Sequence, residues 1–153
     1  MEIKFITKDK SVGKYIDIIS RYLFYYIQKQ IEPYNLHKHQ YKILIELYQH
    51  EDLCQEDLVS LLKLSKADIA KSVKKLVSLG YIRKEKDKVD KRIHHLYLTK
   101  KSLSIKKEII SILEETSSIL SNNISEEEIE IATKVMSQMA ENIFLASSTL
   151  KNS

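Results

Sequence analysis

Residues that break regular structure are almost absent from this chain: 153 positions hold two glycines and one proline. Folds built from many strands need tight turns, and those turns draw on glycine and on residues that tolerate a left-handed backbone. A chain so poor in them is predicted to be mainly helical. The few breakers then become boundary markers, and two of them, Pro33 and Gly80, fall where apolar periodicities end.

Residues 11–32 place apolar side chains at 12, 16, 19, 23, 27 and 31, in steps of three and four that mark one helical face. Pro33 and Asn35 end that segment. The pattern resumes from His37 to Gln49 through Tyr41, Leu44, Ile45 and Tyr48. Two helices follow closely, Gln55–Leu62 and Ser65–Leu79. The second opens with Ser65 as N-cap and Asp68 as an acid in its first turn, and it stops at Gly80. The period then shortens. Residues 81–85 and 93–98 read as two strands around a charged turn, with Leu96 and Leu98 alternating as in a half-buried strand. Helical spacing returns from Lys100 to about Leu120. Ser125 and Glu128 form a capping box that opens a last helix through Phe144.

Charge is distributed unevenly. Residues 63–101 carry 13 Lys/Arg against 4 Asp/Glu, while residues 102–153 carry 4 against 8. Concentrated positive charge makes a local field that attracts polyanions, although a solvated basic face has the same composition. The order of segments favours the first reading. Two short helices, a basic helix and a charged hairpin make a winged helix-turn-helix, and the major groove of duplex DNA admits one α-helix. The polar face of the basic helix is read as Ser65, Lys66, Asp68, Lys71, Ser72, Lys74 and Lys75. The wing supplies Arg83, Lys84, Lys86, Lys88, Asp90, Lys91 and Arg92. Asp68 has two readings, an acid serving the helix start or an acceptor for a cytosine amino group.

Residues 90–99, Asp90-Lys91-Arg92-Ile93-His94-His95-Leu96-Tyr97-Leu98-Thr99, resemble the D-x-R-x-x-x-x-x-L-T signature of the MarR family (multiple antibiotic resistance regulators). Leu36, Gln40 and Leu44 match the start of that family's second helix. Leu76, Gly80, Tyr81 and Ile82 match the end of its recognition helix and its first wing strand, and residues 124–128 match the opening of its last helix. The resemblance implies a homodimer joined by helices at about 11–32 and 101–148, around a DNA-binding lobe at about 37–99. It also implies a pseudo-palindromic operator with half-sites roughly 34 Å apart. It gives Arg92 a place in the minor groove with Asp90 holding it, repression as the usual mode, and relief by a small aromatic or anionic effector. Tyr15, Arg21, Tyr22, Tyr25, Tyr26, His37 and Tyr41 are the candidate lining of an effector cleft. Ala67, Asp68 and Ala70 depart from the hydroxyl residues common in the family, and Lys71 from its arginine. The departures imply fewer direct base contacts.

Competing classes leave weaker traces. No phosphate loop, G-x-S-x-G or H-E-x-x-H is present, so an enzyme is not expected. A winged helix that docks an acidic protein partner has the same basic face. Cys54 is a lone cysteine, read as a packed thiol rather than a redox switch, at a helix start where Asp52 is expected to share the capping. The five histidines show no strong ligand spacing. Neither a metal nor another cofactor is expected, and His94 and His95 are read as wing residues near phosphate or solvent. With no long apolar run, the expectation is a cytoplasmic protein with no membrane partner.

Overall fold

The computed structural model describes residues 12–151 and divides the chain into two compact units, one ending at Ile112 and one beginning at Leu113. Residue 11, where the sequence pattern starts the first helix, lies outside the described residues.

The first unit opens with α1 (Val12–Ile31), which a 3-10 turn at Glu32–Tyr34 ends around Pro33. Asn35 takes a left-handed backbone there, with φ 57°. Helix α2 (Lys38–Gln49) begins after His37, whose backbone N–H donates to Gln40 Oε1 at 2.8 Å. Helices α3 (Gln55–Leu62) and α4 (Lys66–Ser78) are joined through Lys63, also left-handed. Ser65 caps α4 as its sequence predicts: its Oγ accepts from the Asp68 N–H at 3.0 Å and donates to Asp68 Oδ2 at 2.8 Å. At the other end Gly80 takes φ 78°, and the N–H groups of Gly80 and Tyr81 close onto Val77 and Leu76 carbonyls. This is a Schellman stop, which favours glycine because a Cβ disfavours that backbone.

Strands β1 (Ile82–Lys86) and β2 (His94–Leu98) pair antiparallel, Ile82 opposite Leu98 and Lys86 opposite His94. A bridge from Cys54 to His95 and a bond from Leu96 N–H to the Leu53 carbonyl at 3.0 Å tie β2 to the start of α3. Helix α4 packs on α2, α3 and β1. The core beneath it holds Leu44, Leu58, Ile69, Val73, Leu76, Ile82 and Leu96, each at most 2% exposed. Each such side chain stabilises the fold by about 1.5–3 kcal/mol relative to leaving it in water. The lobe is a winged helix-turn-helix.

Thr99 explains the end of the wing motif. Its hydroxyl donates to the Gly80 carbonyl at 2.6 Å, closing the hairpin's open end, and its side chain caps α5 (Lys100–Ser104). The sequence predicts one helix from Lys100 to Leu120, but the structure breaks it at Ile105, before α6 (Lys106–Leu120). Ser102 Oγ donates to the Thr99 carbonyl and Ser104 Oγ to the Lys101 carbonyl, and such local bonds compete with helix continuation.

The second unit holds the end of α6 and the 26-residue α7 (Glu126–Lys151). Ser125 N–H and Oγ both donate to Glu128 Oε2, at 3.0 and 2.8 Å, completing the predicted capping box. No residue of α7 is buried in the single chain; Ile131, Val135, Met136, Ile143 and Leu145 all face outward.

Candidate nucleic-acid interface

Helix α4 divides into two faces. Ile69, Ser72, Val73 and Leu76 point into the core, while Lys66, Asp68, Lys71, Lys74 and Lys75 point out. Ser72 therefore departs from the sequence reading. At 4% exposure it belongs to the packed face rather than the outward one. The spacing 69, 72, 73, 76 is itself a helical stripe, and that was the available signal. Lys66 reaches across to Glu56 on α3 at 3.4 Å. Lys71, Lys74 and Lys75 make no ion pair among the described residues. With Asn35, His37, Gln40 and Ser78, these three lysines line an open cleft between the start of α2 and the end of α4. No carboxylate lines it, so it presents a positive field. Asp68 is occupied by Ser65, which supports its helix-start reading over base recognition.

In the hairpin, Arg83 sits opposite Tyr97, its guanidinium 5.4 Å from the ring centre, and also pairs with Glu85. Lys84, Lys88 and Lys91 are exposed and form no ion pair among the described residues. At the tip, Asp90 Oδ1 accepts from the Arg92 backbone N–H and Nε, and Oδ2 accepts from Nη2, each at 3.0 Å. The Arg92 side chain nevertheless stays 90% exposed, fixed at its fork and open to a ligand. The carboxyl of Asp90 is held below its ordinary range, chiefly by the Arg92 side chain and then by the Arg92 N–H.

Asp87 escaped the sequence reading of this wing, and His95 is placed differently from it. Asp87 Oδ1 accepts from the N–H groups of Val89 and Asp90 at 2.8 and 2.9 Å, and its Oδ2 lies 2.8 Å from His95 Nε2. The bond to His95, followed by those from Asp90 and Val89, pulls the Asp87 carboxyl down to about 2. His95 is thus turned inward to Asp87 rather than toward solvent, a correction to its sequence reading.

Cys54 caps α3 with help from Asp57, whose carboxylate accepts the Cys54 N–H at 2.8 Å. Asp52, the expected helper, is instead a left-handed turn residue, with φ 56°. Burial is the first cause pushing the Cys54 thiol up, which keeps it protonated and a poor nucleophile. No cluster of three metal-ligating side chains occurs among the described residues. None of their helices is long and apolar enough to cross a membrane.

The candidate effector residues do not converge within one chain. Tyr15, Tyr22 and Tyr25 are exposed along α1, and Arg21 pairs with Asp17 at 2.9 Å. His37 lies at the α2–α4 cleft. Tyr41 alone of the set lines a cavity of about 140 Å³ between α1 and α2, together with Phe24, Ile27, Lys38 and Lys42. Its hydroxyl is buried without a hydrogen-bond partner, and burial raises its pKa to about 12.

Comparison with known families matches residues 36–94 to the MarR family. A MarR transcriptional regulator from Methanosarcina mazei Go1 is 30% identical, with 88% of this chain and 97% of that chain covered and a TM-score of 0.76. A MarR family regulator from Listeria monocytogenes, solved in complex with a 26mer DNA, is 26% identical over 94% of this chain and 95% of that one, with a TM-score of 0.85. The HTH-type transcriptional regulator YybA of Bacillus subtilis (strain 168) is 25% identical over 128 residues, 84% of this chain and 85% of the relative. From the wing signature, the capped basic helix and a relative matched over nearly its full length, the chain belongs to the MarR family of transcriptional regulators.

Proposed function

We propose that this chain binds a pseudo-palindromic operator in double-stranded DNA as a homodimer and represses transcription until a small ligand releases it. The observation that carries the reading is one lobe presenting two kinds of cationic contact outward. Lys71, Lys74 and Lys75 stand on α4 without carboxylate partners, and Arg92 stands at the wing tip in a fixed orientation. Lysines on a helix that enters the major groove meet phosphate and base edges, and an arginine suits the stronger negative potential of a narrow minor groove. The Listeria relative crystallised with DNA supports the same assignment.

Dimerisation is assigned to the terminal helices, at about 11–32 and 101–148, and DNA binding to the lobe at about 37–99. In support, α1 exposes Tyr15, Ile16, Ile19 and Tyr22, and α7 by itself exposes the apolar side chains named above. The effector is assigned to the α1–α2 cavity. Its unpartnered Tyr41 hydroxyl and flanking Lys38 and Lys42 suit a small aromatic anion. The protein works by binding rather than catalysis, in the cytoplasm where its operator lies.

The test is a binding titration of purified protein against the DNA flanking its own gene, with salicylate as the probe effector, beside light scattering. The proposal expects twice the 17.9 kDa chain mass, retention of duplex, and loss of affinity with the probe. A monomer without duplex affinity would remove it.

A further inference from the structure

We infer that Asp87 and His95 are positioning residues for DNA recognition, a latch that sets where Arg92 points. The inference rests on the operator-binding reading above and adds two residues to it.

Every step from the packed body of the lobe to the exposed arginine is hydrogen bonded. His95 is held by its backbone: it bridges to Cys54, and its neighbour Leu96 donates to the Leu53 carbonyl, so the strand is anchored on the start of α3. From that anchor His95 Nε2 meets Asp87 Oδ2 at 2.8 Å. Both side chains are 29% exposed, half-buried beside a hairpin whose tip is otherwise in solvent. His95 Nδ1 is buried without a partner, so the ring's side-chain bond is the one to Asp87. The second oxygen of Asp87 then gathers the N–H groups of Val89 and Asp90 and folds the turn back on itself. That turn is closed again by bonds from the Asp87 N–H to the Ile93 carbonyl and from the Ile93 N–H to the Asp90 carbonyl. With its backbone fixed in this way, Asp90 offers both carboxylate oxygens to Arg92.

The Asp90–Arg92 pair could orient the guanidinium only relative to Asp90 itself. Without the Asp87 carboxylate the tip would keep its two backbone closures but lose the bonds to Val89 and Asp90 and its tie to His95. A loop that arrives ordered loses less freedom on binding, so the latch acts on affinity through Arg92 and not by touching DNA.

The experiment is a double-mutant cycle on duplex affinity. Wild type, D87A, H95A, H95Q, R92A and D87A/R92A are titrated at one salt concentration. Each meets operator duplexes whose minor groove under the wing is either A·T-rich or G·C-rich, with melting temperature and dimer mass recorded in parallel. R92A and D87A are each expected to weaken binding by about tenfold, and the double variant is expected to bind no worse than R92A. H95A should reproduce D87A, while H95Q, which keeps a donor for Asp87, should stay within about twofold of wild type. D87A should also lose the preference for A·T-rich sequence that R92A loses, a readout that general destabilisation would not reproduce.

Wild-type affinity in both D87A and H95A, beside a weakened R92A, would overturn the latch and leave the operator reading standing. Multiplying effects of D87A and R92A would overturn it equally, since independent effects mean that Asp87 does not act through Arg92. A wild-type protein without duplex affinity would instead remove the operator reading, and the latch with it.

Discussion

The Arg92 guanidinium is gripped by both oxygens of the Asp90 carboxylate, at 3.0 Å each, while its side chain remains 90% exposed. An exposed ion pair adds little to stability. Its consequence is geometric: a long flexible side chain is held in one orientation at the wing tip, with its remaining donors free for an acceptor outside the protein.

Arg92→Ala is therefore expected to cost binding and not folding. Duplex affinity should fall by about 5- to 100-fold, and the thermal midpoint and dimer mass should match wild type. Fluorescence anisotropy with the purified dimer measures this, and unchanged affinity would remove Arg92 from the interface.

Lys71 and Lys75 stand outward on α4 without a carboxylate neighbour. If each meets one phosphate in each lobe of the dimer, Lys71→Ala and Lys75→Ala should each lower the slope of log affinity against log salt by about two. The drop should be similar on operator and unrelated duplex, since phosphate carries no sequence. A slope identical to wild type would place the lysines off the backbone.

The wing should respond to acid through Asp87. Its carboxyl ordinarily titrates at 3.8 and is held near 2 in the folded protein, first by His95 and then by the N–H groups of Asp90 and Val89. A carboxyl depressed on folding contributes stability that is complete above its unfolded value and is lost as pH falls through its folded one. The order of the turn should thus decline between about pH 4 and pH 2. NMR titration of the Val89 and Asp90 amides should show a midpoint near 2 that is absent in D87A. A midpoint near 3.8 would mean that the three donors do not hold the carboxylate.

The two faces of α4 predict opposite outcomes at neighbouring positions. Ser72→Ala on the packed face should leave duplex affinity within about twofold, because its side chain cannot reach DNA. Ile69→Ala, which empties a fully buried site, should lower stability by about 2–5 kcal/mol in urea unfolding. A Ser72 variant that loses operator affinity at unchanged stability would put that face of the helix on DNA.

What could be read from the residues in order was whatever is settled within a few positions. Ser65 with Asp68 and Ser125 with Glu128 are three apart, so their caps follow from local sequence and both form. The stop at Gly80 and the change of period behind it are local too. The Asp87–His95 bond spans eight residues and exists only once the strands pair and the turn folds back, so no spacing rule announces it. The break at Ile105 was hidden for another reason. Apolar spacing continues through it, while the hydroxyls of Ser102 and Ser104 donate to the carbonyls three residues back, of Thr99 and Lys101, and compete with helix continuation. The effector cleft was drawn from tyrosines at helical spacing, but spacing does not say which face a side chain takes, and Tyr41 is the member of the set that lines the cavity between α1 and α2.

The most direct measurement is the affinity of the purified dimer for its operator duplex between 50 and 200 mM salt. With six or more phosphates engaged across two lobes, affinity should fall by about a thousandfold or more over that range. An unrelated duplex should bind far more weakly throughout. Affinity that stays flat with salt, or that is equal for operator and unrelated sequence, would contradict a protein that reads DNA through α4 and Arg92.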